Sequence, residues 1–588
     1  MRTARVITLP AWLLVCAAAG YTARGGWDTA SAVGRPSSSG DLRPTTAGGS
    51  KTLPRRMSGP GAADSPGGRG AVGTLADTAL RMLTADNCVS CHNSLVSPSG
   101  ADVSIGSDWR ASIMANAARD PYWQAAVRRE MMDHPGVASE IQADCTRCHM
   151  PMLYVERVGR GERPQVFDHL PVRDMETRLD SLAADGVSCA LCHRISAERL
   201  GTRDSFTGGY VIDSTKVDGH GRVFGPYEVD LGRATVMRSA STFHPSESAH
   251  IRTSELCATC HTLFREIYDE NDRVIALHPE QTPYLEWLAS DYRGVQSCQD
   301  CHMRTIPDGV PISSVLGQPR PDVSRHWFIG GNFFVLRMLS RYRDELGVEA
   351  LPHELDEAIE RTVEFLRTET ARVTVERAEI TGDRLEAVVV VENLAGHKLP
   401  TAYPSRRVWL NVAVLDGAGD VVFESGVLRP DGSIVGNDND ADPASYEPHY
   451  QEITAPDQVQ IYEPVLVTPD GAVTTGLTSG IRYIKDNRLL PRGFDKRSAY
   501  RDVEVHGRAL GDPDFVGGAD RVRYRIALGG ARGPFRVVAA LWYQPISFRW
   551  AQNLRPYEAF EPQRFLRYFD EMASYSAVVL ARGEAVAR

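Results

Sequence analysis

Residues 88–92 read Cys-Val-Ser-Cys-His, and the same Cys-x-x-Cys-His spacing returns four more times before residue 303. The copies span residues 88–92, 145–149, 189–193, 257–261 and 298–302. This spacing places two thiols and one imidazole on a single short turn, as a covalently attached, axially ligated haem c requires. The pattern therefore predicts five covalent haem c groups.

Each motif supplies two thioether positions and one proximal iron ligand. The predicted haem-attachment residues are Cys88, Cys91, Cys145, Cys148, Cys189, Cys192, Cys257, Cys260, Cys298 and Cys301. The predicted proximal ligands are His92, His149, His193, His261 and His302.

Two other uses of paired cysteines are less consistent with this chain. Zinc ribbons do not require a histidine directly after every second cysteine. Thioredoxin-like disulfides usually occur as a single motif within a βαβ unit, and no such alternation surrounds these five. Ten of the eleven cysteines lie in the motifs, so an exported chain would have no thiol left for a structural disulfide.

The first residues have the layout of a secretory signal. Arg2 and Arg5 precede an apolar stretch at 6–20 that is too short to span a bilayer. We expect residues 1–23 to be a signal peptide and the protein to be exported, either periplasmic or at the cell surface. Leu13-Leu-Val-Cys16 also resembles a lipoprotein cleavage box, so a lipidated Cys16 is an alternative route to membrane attachment.

Composition divides the rest of the chain. The predicted fold class is α+β and multidomain. Residues 24–73 are rich in Gly, Ser and Pro and are predicted to be a disordered linker. Residues 74–345 are expected to form a mainly helical, loop-rich domain with five haems, and 346–370 a connecting helix with Leu355, Ile359, Val363 and Leu366 on one face.

Beyond residue 370 the apolar period changes from 3.6 to 2. Strands are predicted around 373–375, 385–391, 408–414, 421–423, 459–462, 521–528 and 535–543. Residues 371–588 are therefore expected to form a β-sandwich closed by a helix near 562–574. This part has no cysteine and so no haem.

Eleven histidines lie outside the motifs and are candidates for the second axial position of each iron. His250 precedes the fourth motif, His326 follows the fifth in an aromatic setting, and His397 lies between Gly396 and Pro400. The candidate distal ligands are His250, His326, His397, His134 and His244. Methionine is the other option, but Met114 is better explained by packing.

Two further features concern other partners. Gly436-Asn-Asp-Asn-Asp-Ala-Asp442 concentrates oxygen ligands that suit calcium, although it lacks the closing Glu of a calcium loop and a solvated acidic turn is the alternative. The net charge of −10 makes nucleic acid an improbable partner.

The motifs, the Cys-His-Met that ends the second and fifth, and Asp185-Gly-Val-Ser-Cys before the third resemble a multihaem cytochrome c family. That family includes the tetrahaem cytochromes of ammonia oxidation and is related to hydroxylamine oxidoreductase. The chain departs from the tetrahaem pattern by its fifth motif and its β-region. It also resembles uncharacterised exported multihaem proteins with a Gly-His-Lys-Leu-Pro-Thr segment. The resemblance implies electron transfer and haem attachment outside the cytoplasm.

Three functions are compatible with these observations. The first is an electron carrier that exchanges electrons with redox partner proteins in the cell envelope. The second is a multihaem oxidoreductase that acts on a small nitrogen or sulfur compound at one open haem. The third is a cell-surface electron conduit or assembly component. Five distal ligands would favour the first function, and a missing one would favour the second.

Overall fold

Short helices and loops dominate residues 81–345 in the computed structural model, which describes residues 81–588. The signal peptide, the linker and Cys16 lie outside the described residues. The helices are α1 (Asp86–Val89), α2 (Ile105–Arg110), α3 (Pro121–Asp133), α4 (Ala138–His149), α5 (Pro151–Gly159), α6 (Arg178–Ala184), α7 (Cys189–Cys192), α8 (Leu231–Ser241), α9 (Ser254–Ala258), α10 (Pro283–Leu288), α11 (Cys298–His302), α12 (Phe333–Arg341) and α13 (Arg343–Leu346).

Small strands lie between these helices. They are β1 (Lys216–Val217), β2 (His220–Gly225), β3 (Phe243–Glu247), β4 (Leu263–Tyr268), β5 (Val274–Gln281), β6 (Thr305–Ile306), β7 (Val310–Pro311), β8 (Pro319–Arg320) and β9 (Val323–Ser324). They form the sheet β1-β2-β3 and the pairs β4-β5, β6-β9 and β7-β8. Short 3₁₀ segments occur at 135–137, 167–169, 203–205 and 249–252.

Helix α14 (Pro352–Glu369) joins the two halves of the chain. Pro352 lies in its first turn, where the missing N–H has no intrahelical acceptor to lose. Leu355, Val363 and Leu366 are buried, so the apolar face expected from the 3.6 period is the face that packs inward.

Residues 371–588 contain two larger sheets, of order β10-β11-β19-β14 and β13-β12-β20-β21, with β15 paired to β12. A third sheet has the order β17-β16-β18. The strands are β10 (Ala371–Thr381), β11 (Arg384–Asn393), β12 (Arg407–Leu415), β13 (Val421–Ser425), β14 (Glu452–Ile453), β15 (Ile461–Tyr462), β16 (Pro464–Val467), β17 (Val473–Thr474), β18 (Arg482–Asp486), β19 (Ala519–Ala527), β20 (Phe535–Gln544) and β21 (Val578–Ala587). The helices are α15 (Asp438–Ala441), α16 (Phe548–Gln552) and α17 (Phe560–Met572), with 3₁₀ turns at 501–503, 507–511 and 573–575.

Strand β19 shows why the period-2 pattern predicts a sheet with one buried face and one face exposed to solvent. Val522, Tyr524 and Ile526 are buried, whereas Arg521 and Arg523 point outward and pair with carboxylates on neighbouring segments. The predicted combination of helices and strands is confirmed. The prediction of a closing helix left out β21, which follows α17 and pairs with β20 along its length.

The two halves of the described chain share one hydrophobic core. Tyr122 and Ala125 of α3 and Phe333 to Leu339 of α12 belong to the same buried cluster as β11, β12 and β20. Residues 81–588 accordingly lie within a single compact unit. Among these residues, no helix combines the length and the apolar composition needed to cross a membrane.

Candidate haem-binding cavity

All five motifs open onto one internal cavity of about 980 Å³. Its lining includes the five motif histidines and eight of the ten motif cysteines. Most other lining groups are apolar or aromatic, and the cationic ones are Arg252, Arg361 and Arg406. Apolar walls suit porphyrin rings, and guanidinium groups suit the carboxylates that a haem carries.

Each motif forms about one helical turn. The backbone N–H of His92 donates to Cys88 O at 3.0 Å, and His193 and His261 make the equivalent bond to the first cysteine of their motifs. His149 and His302 are the last residues of α4 and α11. Since residues three and four apart share a helix face, this turn brings the thiols and the imidazole to one side.

Four motif histidines direct Nδ1 at a backbone carbonyl. The acceptors are Ile312 O (2.5 Å) for His92, Ala117 O (3.1 Å) for His149, Phe224 O (2.6 Å) for His193 and Ile329 O for His302. A carbonyl can only accept, so Nδ1 carries the proton and Nε2 keeps its lone pair. Metal-bound histidines usually have this arrangement. No ring hydrogen bond is found for His261 among the described residues.

Burial also favours the neutral form of His149, His193, His261 and His302. It lowers the pKa of His149 and His302 to about 4, and the pKa of His193 and His261 is lowered for the same reason. A neutral imidazole is the form that binds a metal. The residues therefore fit a haem iron at each position.

Two further histidines face motif histidines across the cavity. The ring centres of His193 and His326 lie 6.4 Å apart, with 20° between the ring planes. Those of His302 and His397 lie 6.3 Å apart, with 16° between planes. Two imidazoles on opposite faces of one metal hold their centres about 6 Å apart, because each metal–nitrogen bond is about 2 Å and each ring centre lies about 1 Å behind its nitrogen.

The second histidine of each pair has the same proton arrangement as the motif histidines. Nδ1 of His326 donates to Ser324 O at 3.1 Å, and Nδ1 of His397 donates to Lys398 O at 2.9 Å. Burial lowers the pKa of His326 to about 3 and also lowers that of His397. Both rings are thus able to offer Nε2 to the third and fifth haems, respectively.

The other three candidates are placed differently. His250 accepts from or donates to Ser248 Oγ (2.6 Å) through Nδ1 and bonds Ile195 O (2.8 Å) through Nε2. His134 uses Nδ1 on Asp272 and Nε2 on Ser479. Both nitrogens of each ring therefore already have protein partners.

His244 lies on β3, with Ser246 Oγ at 3.5 Å from Nδ1. None of these three rings lines the cavity. We therefore do not retain His134, His244 or His250 as distal ligands. The sequence gives little sign of this, because both partners of His134, and Ile195 beside His250, come from distant segments.

Three motif histidines have no such partner. Among the described residues, His92, His149 and His261 face no additional histidine on the cavity wall. The methionines on that wall are Met114, Met237 and Met303. Trp123 stacks on His149, with ring centres 4.3 Å apart and planes 3° apart. The first, second and fourth sites thus differ from the third and fifth.

Thiols of different motifs meet in pairs. The thiols of Cys88 and Cys189, of Cys148 and Cys260, and of Cys257 and Cys298 lie close enough for each to shift the pKa of the other. These pairs join the first motif to the third, the second to the fourth, and the fourth to the fifth. Burial, with a smaller contribution from the nearby Cys260 thiol, raises the pKa of Cys192 to about 12, so the third motif also approaches the fourth. The fourth motif is therefore next to three others.

The acidic loop predicted as a calcium candidate turns its oxygens to protein donors. Asp440 accepts from Arg407 Nη1 and from Ile434 N, each at 2.8 Å. Asp442 accepts from Ala444 N and Ser445 Oγ. Protein donors thus occupy these carboxylates, and we do not propose calcium; the turn is not fully solvated either, because Asp440 is buried.

A buried cluster that the sequence analysis did not find contains His449, Asp512 and Asp520. Nδ1 of His449 faces the amide nitrogens of Gln460 (2.8 Å) and Asn487 (3.1 Å), which can only donate. Its proton is therefore on Nε2, which donates to Asp512 Oδ2 at 2.9 Å. The remaining lone pair, on Nδ1, accepts from the two amides and is not free for a metal, so the cluster is a hydrogen-bond network.

Comparisons with known proteins find a similarity among solved structures only. No protein-family model matches the chain, and no curated protein matches it. Among solved structures, the chain is similar to a penta-heme cytochrome c552 from Thermochromatium tepidum, with 15% sequence identity and a TM-score of 0.49. That alignment covers 87% of this chain and 100% of the cytochrome.

Proposed function

We propose that this protein is a multihaem c-type cytochrome that transfers electrons through five covalently bound haems. The observation that carries the proposal is the convergence of five Cys-x-x-Cys-His turns on one apolar cavity, where carbonyl partners at Nδ1 leave Nε2 of four motif histidines available. When bound, each haem supplies an iron that accepts and releases one electron.

The thiol contacts support an order of transfer that differs from the order of the motifs along the chain. The first and third attachment sites adjoin each other, and the fourth adjoins the second, third and fifth. With haems attached at these turns, Cys88 and Cys189 would hold the first haem beside the third, and the fourth motif would hold its haem next to the second, third and fifth.

The proposal also covers the location of the protein in the cell. Haem c attachment outside the cytoplasm, implied by the family resemblance, and the signal-like first 23 residues support export to the periplasm or the cell surface. The partners would be redox proteins of the cell envelope. Attachment through a lipidated Cys16 remains part of the proposal.

A second candidate function, a multihaem oxidoreductase, is favoured by one specific observation. Two motif histidines have a second histidine across the cavity, whereas His92, His149 and His261 have none among the described residues. A haem without a sixth protein ligand can bind a small molecule at its iron.

Haem content and ligand binding test both candidates. A pyridine haemochrome assay combined with intact mass spectrometry should give five covalent haems per chain. Fewer than five in fully matured protein would contradict the five-haem proposal. Carbon monoxide added to the reduced protein then separates the candidates: no spectral change favours the carrier, and binding at one or more haems favours the oxidoreductase.

A further inference from the structure

The loop at residues 393–401 belongs to the β-region and places His397 opposite His302 of the fifth motif. We propose that Glu286, Lys398, Asp486 and Arg488, here called the positioning set, hold His397 at the distal face of the fifth haem. This inference rests on the proposed function, because it assigns the set a role in iron ligation.

The positioning set is a closed network of charges. Lys398 Nζ lies 2.7 Å from Asp486 Oδ2, and Arg488 Nε lies 2.9 Å from Asp486 Oδ1. Arg488 Nη1 lies 3.0 Å from a carboxylate oxygen of Glu286. Glu286 and Lys398 are fully buried. Two anions and two cations cancel, so the network is neutral within the protein interior.

Glu286 ties this network directly to the histidine loop. Its Oε2 accepts from the backbone N–H of Lys398 at 3.1 Å and from Thr401 Oγ1 at 2.5 Å. These two residues lie on the C-terminal side of His397, one of them adjacent to it. Glu286 belongs to α10, beside the haem cavity, whereas the other three members belong to the β-region.

The other side of the loop is held by different contacts. Asn393 Nδ2 donates to His397 O at 2.8 Å, and Tyr292 Oη donates to Leu394 O at 2.6 Å. A Cβ at Gly396 would lie 3.2 Å from Tyr292 Cγ and 3.4 Å from Trp287 Cδ1. The absence of a side chain at Gly396 therefore lets these two aromatic rings pack against the backbone of the loop.

A role in positioning accounts for the chemistry of the set. Buried ion pairs are a weak source of stability, because desolvation offsets most of their attraction. A packed apolar cluster of similar volume would stabilise the fold equally well. Charged hydrogen bonds do, however, impose direction on the groups that they join. Here that direction fixes the loop whose imidazole centre lies 6.3 Å from that of His302. Docking of the β-region and ligation of the fifth haem then depend on the same contacts.

A matched pair of substitutions tests the proposal in the haem-loaded protein. Thr401→Val removes the hydroxyl that donates to Glu286, and Thr401→Ser keeps it. Lys398→Met removes one charge of the set while retaining the length of the side chain. We expect Thr401→Val and Lys398→Met to keep five covalent haems and to gain one high-spin haem that binds carbon monoxide when reduced. Thr401→Ser should have the spectrum of the parent protein.

His397→Ala provides the reference spectrum and separates the two hypotheses. If it gains a high-spin haem while Thr401→Val and Lys398→Met remain identical to the parent, the positioning role is refuted and the ligand assignment stands. If His397→Ala is itself unchanged, the ligand assignment fails. Added imidazole should restore the low-spin spectrum of each affected variant, which shows that its haem pocket is intact. Should Lys398→Met fail to accumulate, the two Thr401 variants decide the question.

Discussion

At the scale of single residues, the atom opposite Nδ1 decides which ring nitrogen of a histidine carries the proton. His92, His193 and His326 donate Nδ1–H to backbone carbonyls and keep Nε2 free. His449 faces two amide donors and carries its proton on Nε2. A ring protonated on Nδ1 can ligate a metal through Nε2, but the bond alone does not identify a ligand, because His220 also directs Nδ1 at a carbonyl and does not line the cavity.

His326 is expected to be the distal ligand of the third haem. His326→Ala should retain five covalent haems and convert one of them from low spin to high spin, because His193 would then be the sole axial imidazole. Electron paramagnetic resonance and the carbon monoxide difference spectrum measure this change. The matched control is His250→Ala, which removes a buried histidine whose nitrogens are both hydrogen-bonded. Equal spectra for both variants would contradict the assignment.

His278 is expected to make stability depend on pH. Burial lowers its pKa to about 4, so between about pH 6.5 and pH 4 the unfolded chain binds a proton that the folded chain does not. The free energy of unfolding therefore decreases as the pH falls through this window, by about 3 kcal/mol or less from this residue.

Denaturant unfolding at about pH 7 and about pH 4.5 measures that decrease. His278→Phe should show a smaller decrease than the parent protein, although the buried haem-site histidines contribute to the same trend. His353→Phe alters an exposed histidine and is the control. An unchanged decrease in the His278 variant would argue against this origin.

At the scale of secondary-structure elements, α14 shows how a helix is held by packing. Leu355 is fully buried in the shared core, and Glu364, nine residues later on the same helix, is exposed. Leu355→Ala should lower the free energy of unfolding by about 2–4 kcal/mol, from lost burial and the cavity left behind. Glu364→Ala should change it by less than about 0.5 kcal/mol. Similar values for both substitutions would mean that this face does not stabilise the fold.

Strand β21 illustrates an element that depends on its neighbours. Val578, Leu580 and Ala587 are buried, the residues at 581–586 alternate between partly buried and exposed, and the backbone pairs with β20. The segment contains Gly583 and several small or charged residues, so its own apolar pattern is weak. The unpaired edge of β20 supplies the hydrogen bonds that make it a strand.

At the scale of the whole molecule, the two halves depend on one another through buried polar contacts. Glu130 of α3 accepts from Leu477 N at 2.9 Å and from Thr478 N at 3.1 Å. Arg128 pairs with Glu561 at 2.8 Å. Removal of either half would leave these groups unpaired and would expose the shared core.

We therefore expect residues 371–588, produced alone, to be insoluble or rapidly degraded. Residues 74–588 with haems attached should resist a protease that degrades the shorter fragment. In the longer chain α3 and α12 remain packed in the core of the β-region. Limited proteolysis followed by mass spectrometry compares the two fragments. A protease-resistant, cooperatively unfolding fragment 371–588 would show that the β-region is an independent domain.

The amino-acid sequence by itself determined the five attachment turns, the apolar face of α14 and the alternating strands β11, β12, β19 and β20. These features depend on residues within a few positions of one another, whose spacing sets which side chains share a face. Tertiary structure alone decided that His326 faces His193, that His397 faces His302, and that His134 and His250 are occupied elsewhere. The reason is physical: a ring nitrogen becomes a ligand or a structural donor according to the atom placed against it, and the atoms around the cavity come from distant parts of the chain.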